Sequence, residues 1–173
     1  MRYKIFIINL ARSPERYQQA LSQLAAWPDL PVQRIDAADG RALSEAEINQ
    51  YYSAALNQRL HHKILKPGEK GAFISHIRCW QQIVEQQLDF ALILEDDIDL
   101  EAEFVTVLQK ISQLDNWDMI KLADDRDGKG EQKLALGDGY ELVNFAKVPN
   151  CTTGYALTLQ GAKKLLSRPR FFR

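Results

Sequence analysis

Three consecutive carboxylates, Glu95-Asp96-Asp97, come directly after the apolar run Ala91-Leu92-Ile93-Leu94. Carboxylates in a row repel one another, and desolvating them without a counter-charge is costly. A divalent cation removes both penalties, and hard oxygen ligands suit Mn²⁺ or Mg²⁺. Alternate side chains of an extended segment share a face. Glu95 and Asp97 are therefore expected to hold the metal, with Asp96 facing the other way. A cation held so can bridge two phosphates and stabilise negative charge on a departing diphosphate. The bland alternative is a solvated acidic loop continued by Asp99 and Glu101.

A second cluster follows the apolar run Ile5–Ile8. Asn9, Arg12 and Arg16 flank a helix start, which is a natural place for an anion; ordinary turn chemistry is the competing reading. Asp36 and Asp39-Gly40 end a further apolar stretch, where a carboxylate can hold ribose hydroxyls, although Asp-Gly is also simply a turn. Asp124 and Asp125 follow another expected strand and are candidates for a general base; a base beyond residue 173 is the alternative. His76 lies between Phe73 and Trp80 at helical spacing and reads as a hydrogen-bonded histidine beside the core rather than a catalytic base. His61 and His62 have no spaced partner ligand. Asn150, Thr152, Thr153 and Tyr155 offer polar groups to a sugar pocket or to a loop. No GxSxG, Walker or HExxH pattern is present. Asp97-Ile98-Asp99 superficially offers the acid pair of a haloacid-dehalogenase phosphatase, but Leu100 stands where a small hydroxyl or β-branched residue is expected.

The elements that must position these groups are marked locally. Ile5–Ile8 and Ala91–Leu94 read as strands buried on both faces, as in a parallel sheet. Ser13-Pro14-Glu15 opens a helix with Tyr17, Leu21 and Leu24 on one face. Val32–Ile35 is a second strand. Ser44 through Glu47 is a capping box opening a helix that fades near Ala54–Leu56. Pro67-Gly68 punctuates a loop from His61. Phe73, Ile77, Trp80, Val84 and Leu88 then mark a long amphipathic helix. Residues 101–114 are helical, and Met119–Leu122 is a short strand. Leu134–Leu136 and Glu141–Val148 form a hairpin across Gly137-Asp138-Gly139. Tyr155–Leu157 is a strand, and Thr158 caps a last helix, Leu159–Leu166. This order predicts an α/β fold with a mostly parallel sheet flanked by helices. Ligands in such sheets sit at the carboxyl ends of the strands, here after Ile8 and after Leu94.

Composition narrows the class. With 22 Lys and Arg against 23 Asp and Glu, there is no basic footprint for nucleic acid. Two cysteines without CxxC spacing suit a reducing compartment. The apolar run at the N-terminus is too short for a signal sequence, and no stretch reaches membrane-spanning length. These readings predict a cytoplasmic protein. The basic, aromatic tail of Lys163, Lys164, Arg168, Arg170, Phe171, Phe172 and Arg173 reads either as a contact for anionic lipid or, by preference, as an edge that a longer domain would bury.

Four segments carry a resemblance: IFIINLARSPERY at 5–17, DAADGRAL at 36–43, LKPGEKGAFISHIRCWQQIVEQQLDFALILEDDI at 65–98 and TTGYALTLQGAKKLL at 152–166. Together they resemble glycosyltransferase family 25, the lipooligosaccharide galactosyltransferase-like group. The most specific piece is GExG, then SHxxxW, then LILEDD. The resemblance implies a GT-A-like nucleotide-diphosphosugar-binding fold. It implies inverting transfer of a sugar, commonly galactose from UDP-galactose, to a lipid-linked oligosaccharide or related surface glycan. It implies Mn²⁺ at Glu95, Asp96 and Asp97, and a donor nucleotide near Asn9 and Arg12 with Asp39 close by. Asp96 is then expected to place donor sugar or ribose hydroxyls. Members of the family usually continue past residue 173, so a single domain over 1–173, incomplete at its C-terminus, is expected. A nucleotide- or glycan-binding domain without turnover is the alternative.

Overall fold

The computed structural model describes residues 1–60, 63–122, 132–145 and 151–167. Asp124, Asp125, His61, His62, Asn150 and the tail from Arg168 lie outside the described residues.

The first strand, β1 (Tyr3–Asn9), is followed by α1 (Pro14–Gln23), β2 (Val32–Asp36), α2 (Glu45–Tyr51), α3 (Ala54–Leu60), α4 (Pro67–Glu85), β3 (Phe90–Glu95) and α5 (Phe104–Ser112). Then come β4 (Met119–Lys121), the hairpin β5 (Gln132–Gly137) and β6 (Tyr140–Asn144), β7 (Gly154–Thr158) and α6 (Leu159–Leu166). Five strands form the central sheet in the order β2-β1-β3-β7-β4, and β5-β6 is a separate pair. β1 runs parallel to both β2 and β3, whereas β7 is antiparallel to β3 and β4. The expected mixed α/β architecture with a mostly parallel sheet between helices is therefore the one observed.

Ile5–Ile8 of β1 and Phe90–Leu94 of β3 are apolar because both faces of the sheet are covered there. Phe6, Ile8, Ala91 and Ile93 pack on one face against Ile77, Trp80 and Ile83 of α4 and Ala162 of α6. Ile5, Ile7, Leu92 and Leu94 pack on the other against Ala20 of α1, Leu24 at its C-terminal cap, and Phe104, Leu108 and Ile111 of α5. The central strands are thus clamped from two sides, and their carboxyl ends, Asn9 and Glu95, emerge next to each other: Ile8 is in register with Glu95.

Local signals resolve into real caps with one exception. Ser44 Oγ accepts from Glu47 N, and Glu47 Oε2 accepts from Ser44 N, which is the capping box. Thr158 Oγ1 accepts from Gly161 N at the start of α6. Ser13, in contrast, makes no side-chain cap to α1; its carbonyl instead accepts from Asn9 Nδ2. The helix expected to fade near Leu56 is two helices, broken at Tyr52, which adopts an extended backbone. Pro67 is not a loop residue but the first residue of α4, where its missing N–H costs nothing.

Candidate functional site

Asn9 organises the carboxyl end of β1. It is buried, and its whole side chain is engaged. Nδ2 donates to Ser13 O at 2.8 Å and to Asp96 Oδ2 at 2.6 Å, while Oδ1 accepts from Arg34 Nε at 3.0 Å. One amide thereby ties β1, β2, the entry to α1 and the turn after β3 together. A carboxamide suits this position because it both donates and accepts.

The acidic triplet divides into two parts. β3 ends at Glu95, and Asp96 and Asp97 lie in a turn, so strict alternation of side chains stops there. The expected arrangement, Glu95 and Asp97 on one face with Asp96 opposite, is not the one observed. Instead, Asp96 and Asp97 converge on Arg16 of α1, whose Nη2 lies 2.6 Å from Asp96 Oδ1 and 2.9 Å from Asp97 Oδ2. The Asp96 side chain is 10% exposed and that of Asp97 60%. Asp96 is an inner, structurally held carboxylate, and Asp97 an outer one.

Glu95 faces α4 and the segment before β7. Thr152 Oγ1 donates to Glu95 Oε1 at 2.7 Å, and His76 Nε2 stands 3.4 Å from the same oxygen. Glu95 N donates to Thr153 O at 2.9 Å, which fixes the strand end. The His76 hydrogen bond, helped by Thr152 and opposed by partial burial, holds the Glu95 carboxyl below the usual carboxylate range. Glu95 is therefore ionised at neutral pH.

Beside this group, Arg12 pairs with Asp39. Asp39 sits in the loop after β2, where its Oδ1 also accepts from Arg41 N at 3.1 Å. That loop is pinned on α4: Ala38 N donates to Ser75 Oγ at 2.8 Å. The structure thus brings Asn9, Asp96, Asp97 and Glu95 to one edge of the sheet, with the Arg12–Asp39 pair on the loops following β1 and β2. Asp124 and Asp125 cannot be placed because they fall outside the described residues.

Sequence alone underrates Arg16 and His76. Arg16 reads with Arg12 as an anion ligand, yet it neutralises the neighbouring carboxylates. His76 is buried and hydrogen-bonded, as the helical spacing indicates, but it also reaches Glu95. One signal is present: His76 and Trp80 stand four residues apart, on one face of α4.

Among the described residues, no group of three or more His, Cys, Asp or Glu is arranged to hold a metal ion. The reason is visible in the triplet: Oε1 of Glu95 is taken by Thr152 and His76, and Arg16 supplies the countercharge for Asp96 and Asp97. As placed, these residues do not fit a ready-made cation cage. A cleft of about 750 Å³ lies elsewhere, between α5, β4 and the β5-β6 hairpin, lined by Val107, Ile111, Met119 and Leu134 among others. It contains none of the acidic triplet, so the carboxyl edge of β1 and β3 carries the functional argument.

Comparison with known proteins gives consistent likenesses. A family model described as glycosyltransferase family 25 (LPS biosynthesis protein) matches residues 2–135. A Drosophila pseudoobscura pseudoobscura protein named glycosyltransferase 25 family member is 35% identical over 170 residues, covering 94% of this chain and 27% of that protein. Mouse procollagen galactosyltransferase 2 is 30% identical over 177 residues, covering 97% of this chain and 28% of that protein. A rat protein named probable inactive glycosyltransferase 25 family member 3 is 30% identical over 173 residues, covering 95% and 30%. The chain thus spans less than a third of the length of these relatives.

Proposed function

The chain belongs to glycosyltransferase family 25, and on that premise we propose that it is a hexosyltransferase domain whose nucleotide-sugar donor binds at the carboxyl edge of β1 and β3. The observation that supports this reading is the position of Asn9, Asp96, Asp97 and Glu95 at adjoining strand ends, where open α/β sheets bind ligands. A GT-A-like arrangement is the corresponding fold proposal.

The donor is UDP-galactose or a similar nucleotide sugar, and the acceptor a lipooligosaccharide or related lipid-linked glycan. The family's description as an LPS biosynthesis protein supports that acceptor class. A cytoplasmic protein touching the inner membrane at its periphery is the setting that suits it. No helix among the described residues is long and apolar enough to cross a membrane.

Transfer with inversion is a single displacement. An acceptor hydroxyl oxygen bonds to the anomeric carbon, and the bond from that carbon to the diphosphate oxygen breaks. The leaving diphosphate keeps the electron pair, and the hydroxyl proton passes to a carboxylate base. Arg12, more than half exposed and placed after β1, supplies charge to the diphosphate. Asp96, held by Asn9 and Arg16, offers a fixed acceptor to sugar or ribose hydroxyls. Asp39 stands beside Arg12 for the ribose. Asp124 and Asp125, in the segment after β4, are proposed for the base. Were Mn²⁺ or Mg²⁺ to bind, Glu95 and Asp97 are the carboxylates that would hold it and it would supply positive charge to the leaving diphosphate, although as placed the described residues form no cation site.

Turnover is tested by UDP release from a panel of UDP-hexoses with oligosaccharide acceptors. Release that depends on acceptor supports transfer. Donor binding without release supports the second reading, a binding domain without turnover. That reading is favoured by the 30% identity to a relative named as inactive. Family membership leaves no ground for the phosphatase alternative.

A further inference from the structure

Trp80, Tyr155 and His76 form a buried chain of hydrogen bonds, and the far side of the His76 ring faces Glu95. Trp80 Nε1 lies 2.9 Å from Tyr155 Oη, Tyr155 Oη lies 2.9 Å from His76 Nδ1, and His76 Nε2 lies 3.4 Å from Glu95 Oε1. All three residues of the chain are at most 8% exposed, so water does not replace a missing partner. They come from two rigid elements: His76 and Trp80 from one face of α4, and Tyr155 from β7.

The proton positions follow from donor and acceptor capacity. An indole N–H only donates, so Tyr155 Oη accepts from Trp80. The phenol proton then has His76 Nδ1 as its acceptor among the described residues. Nδ1 must be bare to accept it. The neutral imidazole therefore carries its proton on Nε2, the nitrogen that faces Glu95. If Nδ1 carried the proton instead, the buried tyrosine O–H would have no acceptor among the described residues, and Glu95 would face a lone pair.

We propose that Trp80 and Tyr155 fix His76 in the Nε2–H tautomer, and that His76 acts as a positioning residue that holds the Glu95 carboxylate in place for the donor site. The proposal rests on the donor-site reading given above. Neither the apolar pattern of α4 nor the acidic triplet indicates this link. It makes the SHxxxW spacing a device for orienting a carboxylate on a neighbouring element, and it assigns Tyr155 a role beyond filling the core.

Two measurements test it on the full chain. The first is the imidazole nitrogen spectrum of the nitrogen-15-labelled protein without ligand, with the His76 signals identified by their loss in His76→Gln. The expected result is a bare Nδ1 and a protonated Nε2. An Nδ1–H tautomer, or a rapidly exchanging mixture, overturns the proposal. The second compares UDP affinity in His76→Gln, which retains an N–H able to reach Glu95, and His76→Leu, which does not. Retention in the glutamine variant and a loss of about tenfold or more in the leucine variant is the expected pattern for a residue that orients a binding carboxylate. Equal losses in both would mean that His76 only fills space, and no loss in either would mean that it positions nothing. Because the tautomer is read without nucleotide, a wild-type protein that fails to bind UDP would remove the donor-site reading while the spectrum still decides the relay.

Discussion

Gly40 and Gly71 allow two stretches of main chain to touch where no side chain fits. A Cβ on Gly40 would lie 1.8 Å from Pro67 O and 2.6 Å from Pro67 C, and one on Gly71 would lie 2.5 Å from Ala38 O. The obstacles are backbone atoms, so neither can swing aside as a flexible side chain would. Gly40→Ala must push the loop carrying Asp39 away from the first turn of α4. Overpacking of this kind costs about 1–3 kcal/mol, and the backbone obstacle argues for about 3. For a chain of this size, that corresponds to a fall in Tm of roughly 6–12 °C. Gly68 is the control. It sits in the first turn of α4 with nothing within 4 Å of where its Cβ would stand, so Gly68→Ala is expected to be neutral or mildly stabilising, since alanine is the better helix former. Thermal unfolding followed by circular dichroism reads both. A Gly40→Ala protein melting within about 1 °C of wild type would refute the close-approach argument.

Other expectations follow from single contacts. Asn9→Asp sets a second carboxylate against Asp96, 2.6 Å from the present amide, and should destabilise by about 2–4 kcal/mol at neutral pH; urea unfolding should show the penalty shrinking on acidification, and a pH-independent penalty would contradict the contact. Burial raises the Cys79 thiol far above its usual range, whereas Cys151 is partly exposed. A thiol reagent at neutral pH should therefore modify one cysteine quickly in the native protein and both after denaturation; two fast thiols in the native protein would contradict the burial of Cys79. Glu95 has a depressed folded-state pKa, so its contribution to stability is fully present above the unfolded carboxylate value of about 4.3 and is lost as pH falls through the lower folded value. Glu95→Gln should flatten the acid limb of stability against pH, and an unchanged limb would mean that the His76 and Thr152 contacts carry no such linkage.

Much of this architecture was legible because burial on two faces leaves an unmistakable run. Ile5–Ile8 and Ala91–Leu94 could only be central strands, and Ser44 and Thr158 announced their helices by capping chemistry. The direction of β7 was not legible: a short strand buried on both faces looks the same whether it runs parallel or antiparallel. Nor was the break at Tyr52, since no Gly or Pro marks it. Pro67-Gly68 misled because Pro punctuates loops and opens helices alike. At the candidate site, Asn9, Asp96, Asp97 and Glu95 were singled out by type and by their expected position at or just after strand ends. Their relative orientation was lost because period-2 reasoning holds only while the strand lasts, and the strand ends at Glu95. Arg16 and His76 depend on tertiary contacts across α1, α4 and β3, which no local spacing encodes.

The central claim is that the edge formed by β1 and β3 binds the nucleotide of the donor. Calorimetric titration of UDP into the protein tests it, with Mn²⁺ present or with chelator, in wild type and in the Glu95→Ala, Asp97→Ala double variant. The account predicts UDP binding by wild type that is abolished in the double variant. A folded wild-type protein that binds no UDP under either condition, or a double variant that binds as well as wild type, would contradict it.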